Sequence, residues 1–212
     1  AIGILQPVYT ELKKDNQYRA SALAGAWLTL AHAELVFENG KEPAEHAATM
    51  ASGTKDPDVD AAAQLALGAY QIGNEEFDKA ATTLEGVSVA TDQGLVVVGH
   101  LLRAEALIGA AFGSGEDENM KDPAKLEAAK QAYDAAAKAS KGNFAEPLLR
   151  GRIEEGYAAL SDYNKDKAGV CTHAAAAYEA FKTQGATRLL EGPAKLANTN
   201  KCTIPGMVDA AP

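Results

Sequence analysis

Between residues 67 and 87 the chain reads Leu67-Gly68-Ala69-Tyr70-Gln71-Ile72-Gly73-Asn74-Glu75-Glu76-Phe77-Asp78-Lys79-Ala80-Ala81-Thr82-Thr83-Leu84-Glu85-Gly86-Val87, and this stretch decides the fold. Apolar residues run into a Gly-Asn break, after which Phe77, Ala80, Leu84 and Val87 recur mostly at three- and four-residue steps. That spacing implies two helices joined by a tight turn. Gly68 in the first helix lets the second approach closely, and the small and large residues of the second line one face.

Working outward, helix and turn keep alternating. The pattern predicts helices over about 8–14 after Pro7, 18–37 up to Asn39-Gly40, and 42–50 up to Ser52-Gly53. Asp56-Pro57 opens the next pair, and further helices are expected near 59–72, 75–84, 94–112, 123–140, 145–163, 167–182 and 186–196. The tail from 198 to 212 reads as irregular. Leu95-Val96-Val97-Val98 is β-branched enough for a buried strand, but it runs directly into the helical pattern of Ala106, Ile108 and Gly109. The fold class expected is all-α.

The quoted stretch resembles a tetratricopeptide repeat at that family's own spacing, with Gln64 and Gln71 standing where large side chains are usual. Three looser copies accompany it. Trp27, Leu30 and Ala31 lead to Ala44, Ala48 and Ala51; Ile108, Gly109 and Phe112 lead to Leu126, Ala129, Tyr133 and Ala136; Tyr157, Leu160 and Ser161 lead to Ala174, Tyr178 and Phe181. The positions Leu30, Leu67, Ile108 and Leu160 are 37, 41 and 52 residues apart, where the family repeats about every 34, and the surplus falls in loops, chiefly 113–119. The resemblance implies one domain over 1–212: a short right-handed α-solenoid of about four antiparallel helix pairs over about 17–183, with a C-terminal cap and tail over 184–212. An ordinary helical bundle with alanine-rich seams is the alternative.

In that family the first helices line a concave groove that takes up peptides or partner proteins. The resemblance places Gly25, Leu28, His32, Leu35, Ala62, Leu65, Ala69 and Ile72 on the groove wall, followed by Arg103, Ala106, Glu155, Ala158 and Asp162. The Lys and Asn clamp of chaperone-binding relatives is missing. An apolar wall with Arg103 at its edge suits an amphipathic helix, an extended apolar peptide or an apolar small molecule. Alternatively the N-terminal helix, through Ile4, Leu5, Val8 and Tyr9, folds over the wall and buries it. The function implied is a non-enzymatic interaction scaffold or accessory subunit of a larger extracytoplasmic complex, without cofactor. The alternative is a binding protein for an apolar small molecule or peptide.

Composition narrows the classes further. Lys and Arg number 20 against 29 Asp and Glu, with no basic run to track a phosphate backbone, so nucleic acid is not an expected partner. The longest apolar stretch, 95–112, is interrupted by His100, Arg103 and Glu105 and is not expected to span a bilayer. Cys171 and Cys202 are the two cysteines. A single disulfide between them is expected, hence a periplasmic or secreted protein; free thiols in a reducing cytoplasm are the alternative. Ala1-Ile2-Gly3 lacks an initiator methionine and an apolar signal core, as in a chain whose targeting segment is removed or whose end is trimmed.

Metal and catalytic readings fare poorly. Glu42, Glu45 and His46 crowd together, but adjacent residues diverge on a helix, and no Glu-x-x-His partner recurs on other helices. Cys171 and His173 point in different directions, and the acidic run 116–122 lacks the turn glycine and terminal glutamate of a calcium loop. Gly-x-Ser-x-Gly, phosphate-loop and dinucleotide signatures are absent from the sequence. No metal and no catalytic centre are expected.

Overall fold

The computed structural model describes residues 2–14, 17–33, 37–112, 122–142 and 146–207. Within them the chain is helical throughout, with α1 (Ile2–Lys14), α2 (Tyr18–Ala33), α3 (Lys41–Ala51), α4 (Pro57–Gly73), α5 (Phe77–Glu85), α6 (Gln93–Phe112), α7 (Pro123–Ala139), α8 (Glu146–Tyr163), α9 (Lys167–Thr183) and α10 (Glu191–Thr199). Short 3-10 turns precede α3 and α10 and follow α5. Leu95–Val98 lies inside α6, so the strand alternative falls away.

Local chemistry sets the helix starts. Asp56 accepts the N–H groups of Asp58 at 3.1 Å and Val59 at 3.4 Å, with Pro57 as first residue, where a missing N–H removes no helical bond. Asp92 caps α6 through Gly94 N at 2.7 Å, Asp122 caps α7 through Ala124 N at 3.0 Å, and Asp166 caps α9 through Gly169 N at 3.0 Å.

Three helix ends share one closure. Asn74, Asn164 and Asn200 are each followed by a left-handed residue, Glu75 (φ 58), Lys165 (φ 59) and Lys201 (φ 54). The next N–H then folds back to a carbonyl five residues earlier, Glu76 to Gln71, Asp166 to Ser161 and Cys202 to Ala197, each at 2.8 Å. This is the double closure that satisfies orphan carbonyls at a helix C-terminus.

The chain forms two compact units, residues 1–132 and 133–212, with the division inside α7. In the first unit α2 packs beside α4 and α4 beside α6, while α3 contacts both α2 and α4 and α5 contacts both α4 and α6. Alanine makes this possible: Ala22, Ala26, Ala47, Ala51, Ala62, Ala63 and Ala66 form one buried cluster around Val59. Side chains this small let helix axes approach. In the second unit α8, α9 and α10 share a core of Ala158, Ala174, Tyr178, Ala194, Ala197 and Ile204. The Cys171–Cys202 disulfide, with Cα atoms 5.3 Å apart, ties α9 to the segment after α10.

Two expectations need correction. The first helix begins at Ile2 rather than after Pro7. Proline there costs the bond to the Gly3 carbonyl, but both residues are exposed, so water can serve that oxygen. The phase of the fourth pair also shifts. Pro57, Asn74 and Glu76 of the second pair recur as Pro147, Asn164 and Asp166, every one 90 residues later. That frame aligns Ala158 with Gly68 and Ala174 with Leu84, rather than Ser161 with Gly68. Ala158 and Ala174 are both fully buried in one cluster, and the close glycine contact of this pair is instead Gly151 against the Phe181 ring.

By length and composition α6 is one helix that could cross a membrane, but half of its apolar window is buried inside the protein.

Candidate functional site

Most of the residues assigned to a groove wall in the first two pairs are core residues. Leu28 is fully buried and Leu65 nearly so, and Ala62 and Ala69 are buried as well. His32 is buried at the end of α2, with Nδ1 lacking a hydrogen-bond partner among the described residues. Ile72 is half-buried, and Leu35 lies outside the described residues. Arg103 is half-buried on α6 and pairs with Glu85 at 3.3 Å. An apolar stripe on a first helix signals burial without naming what buries it; here the neighbouring helices do.

Over Leu28 the covering element is α1, the second of the two alternatives read from the sequence. Its inner face is Ile2, Leu5, Tyr9 and Leu12, which pack with Ala24 and Leu28 of α2. Ile4 and Val8, expected to face inward, are exposed at 75% and 47%. The residues spaced three and four apart from Tyr9 define the buried stripe, and Ile4 and Val8 fall beside it.

Tyr9 anchors the helix. Its ring lies over Gly25, where an added methyl group would meet Tyr9 Cε2 at 3.2 Å and the Pro43 carbonyl oxygen at 2.9 Å. Its hydroxyl donates to Glu42 of α3, with both carboxylate oxygens at 3.0 Å, and Lys13 pairs with the same carboxylate. His46 meets the Tyr9 ring edge-on at 5.5 Å and lies 3.1 Å from Ser21 Oγ. Burial and the Glu42 charge push the Tyr9 hydroxyl well above its ordinary range. Burial alone would raise the Glu42 carboxyl, but Lys13 and Tyr9 together hold it below its usual value. Burial, aided by the Lys13 charge, lowers the His46 imidazole.

A comparable polar node ties the second unit. The Tyr157 hydroxyl donates to Asp134 at 2.5 Å, and His173 Nδ1 lies 2.8 Å from Glu154 Oε2. The Tyr157 ring sits between those of Tyr133 and His173, at 5.7 and 5.3 Å. Glu155, assigned to the groove, is instead half-buried with its carboxylate against Gly192 of α10, and burial raises its carboxyl above the ordinary range despite Arg152. Asp162 accepts from Asn200 at 2.8 Å and Ala158 is core. Ala106 is buried likewise.

One open cleft, of about 540 Å³, runs along α8 and α9, lined by Glu146, Pro147, Arg150, Ala176, Ala180 and Thr183. Sequence reasoning missed it, because two alanines and a proline carry no chemical signal. Among the described residues no three of His, Cys, Asp and Glu converge as metal ligands would. Twenty of the 29 acidic residues lie in residues 1–132, against half of the basic ones, so a charge-steered partner of that unit is basic.

Comparison with protein-family models, with curated proteins and with solved structures finds no match to this chain.

Proposed function

We propose that the protein is a non-enzymatic interaction scaffold, or an accessory subunit of a larger periplasmic or secreted complex, built as a short tetratricopeptide-like solenoid of about four helix pairs. The observation that carries this reading is the packing of the first unit, where α3 seats against α2 and α4, and α5 against α4 and α6. Pairs stacked in that way leave extended surfaces and no deep enclosed pocket, an arrangement suited to binding other chains. The Cys171–Cys202 bond is compatible with an oxidising compartment. Native purification from the source organism tests the proposal: a stoichiometric protein partner that persists through gel filtration is expected, and a chain recovered alone from every extract overturns it.

The α8–α9 cleft favours a second reading, a binding protein for a small apolar molecule. Its volume falls within the range of ligand pockets, alanine and proline supply its apolar lining, and Arg150 stands there with Glu146 and Glu179. Native mass spectrometry of gently isolated protein separates the two readings. A retained adduct, lost on Ala176→Trp, supports the second; a ligand-free mass excludes it.

A further inference from the structure

We propose that the face of α2 and α3 beneath α1 is a helix-docking surface, and that α1 is its built-in, displaceable occupant. The partner it fits is an amphipathic helix with apolar residues at the spacing of Ile2, Leu5, Tyr9 and Leu12 and a base at the place of Lys13. This rests on the scaffold reading and names the surface it uses.

The argument begins with how little holds α1. Tyr9 is its one buried residue, whereas α4, of similar length, buries eight. Ile2, Leu5 and Leu12 are half-buried, and the remaining nine residues of the helix are exposed. Both partners of the Lys13–Glu42 ion pair are roughly half exposed, so water competes for them at little cost. Pro7 removes one internal hydrogen bond from the helix. Elements with few buried contacts and exposed bonds open locally at free energies far below global unfolding.

The surface left behind is specific. It offers an apolar floor of Ala24 and Leu28, a flat slot at Gly25 that admits an aromatic ring, and Glu42 at one end to receive a hydroxyl and a cation. The acidic balance of the first unit favours a basic helix over an acidic one. A helix that fills the slot without the proline has the advantage over α1 in this exchange.

The test uses the full chain and a fluorescent peptide of the sequence Ile2–Lys14. Leu5→Asp with Tyr9→Ala unseats the resident helix without touching the surface. The peptide is expected to bind this variant at least about tenfold more tightly than the wild type, since the resident competitor is gone. Adding the exposed change Glu42→Lys is expected to reverse that gain. A folded double variant that binds the peptide no better than the wild type overturns the proposal. If the double variant does not fold, hydrogen exchange on the wild type decides. Opening of α1 at least about a hundredfold more populated than that of α4 supports it, and equal protection of the two helices overturns it. A chain that passes these tests but yields no partner on native purification sinks the scaffold reading and leaves the docking surface standing.

Discussion

Gly68 of α4 and Leu84 of α5 stand so close that a methyl group added to Gly68 would lie 2.5 Å from Leu84 Cγ. The leucine side chain occupies the notch where a β-carbon would otherwise sit, and both residues are buried. Gly68→Ala is therefore expected to destabilise the protein by about 1–3 kcal/mol, because a packed leucine must leave its rotamer or the helices must part. Combining it with Leu84→Ala should cost less than the sum of the two changes, since each then makes room for the other. Urea unfolding of the four proteins measures the coupling, and strictly additive effects would contradict it.

The left-handed residues after α4 and α8 give a change of opposite sign. Glu75 and Lys165 hold φ near +58° and +59°, where a β-carbon crowds the backbone. Glu75→Gly and Lys165→Gly should each stabilise by about 0.5–1 kcal/mol, glycine being the residue this turn favours. Thermal melts check it.

Loss of the disulfide should act on the second unit. A cross-link across a sequence separation of 31 residues contributes about 3.7 kcal/mol on the chain-entropy estimate. Cys171→Ser with Cys202→Ser is expected to raise hydrogen exchange in α9 and α10 while leaving α2 to α5 unchanged. Alkylation under denaturing, non-reducing conditions should leave the mass of the native protein unaltered.

Acid should loosen α1. Burial holds the His46 imidazole below its ordinary value of 6.5 in the folded chain, so as pH falls through 6.5 the unfolded state takes up protons that the folded state refuses, and stability declines. The Glu42 carboxyl sits below its ordinary value of 4.5; its contribution is present above 4.5 and is lost as pH falls through the lower folded value. Hydrogen exchange of α1, corrected for intrinsic rates, should show opening that grows in two stages, and His46→Gln should remove the first. Protection that stays flat from neutrality to pH 4 would contradict this.

Much of this architecture is legible in the sequence. Asp56-Pro57, Asn74-Glu75 and Asn164-Lys165 are local instructions, and caps and turns act through near neighbours, so the helix boundaries they mark came within a few residues. Phase was harder to read. In the fourth pair the buried alanines Ala158 and Ala174 stand where Gly68 and Leu84 stand in the second, and an alanine-rich sequence offers several equally good small-residue registers. The site was the least legible part. Leu28 and Leu65 read as apolar on one helical face, which states that they are covered but not by which element, and the Tyr9–Glu42 anchor joins residues 33 apart in sequence.

The most direct test of the scaffold account is the size of the protein in native extract. The account predicts that the protein elutes from gel filtration well above its own mass together with a protein partner, and falls back to monomer size when excess Ile2–Lys14 peptide is added. Elution as a monomer from every fraction of the source organism, with or without peptide, would contradict it.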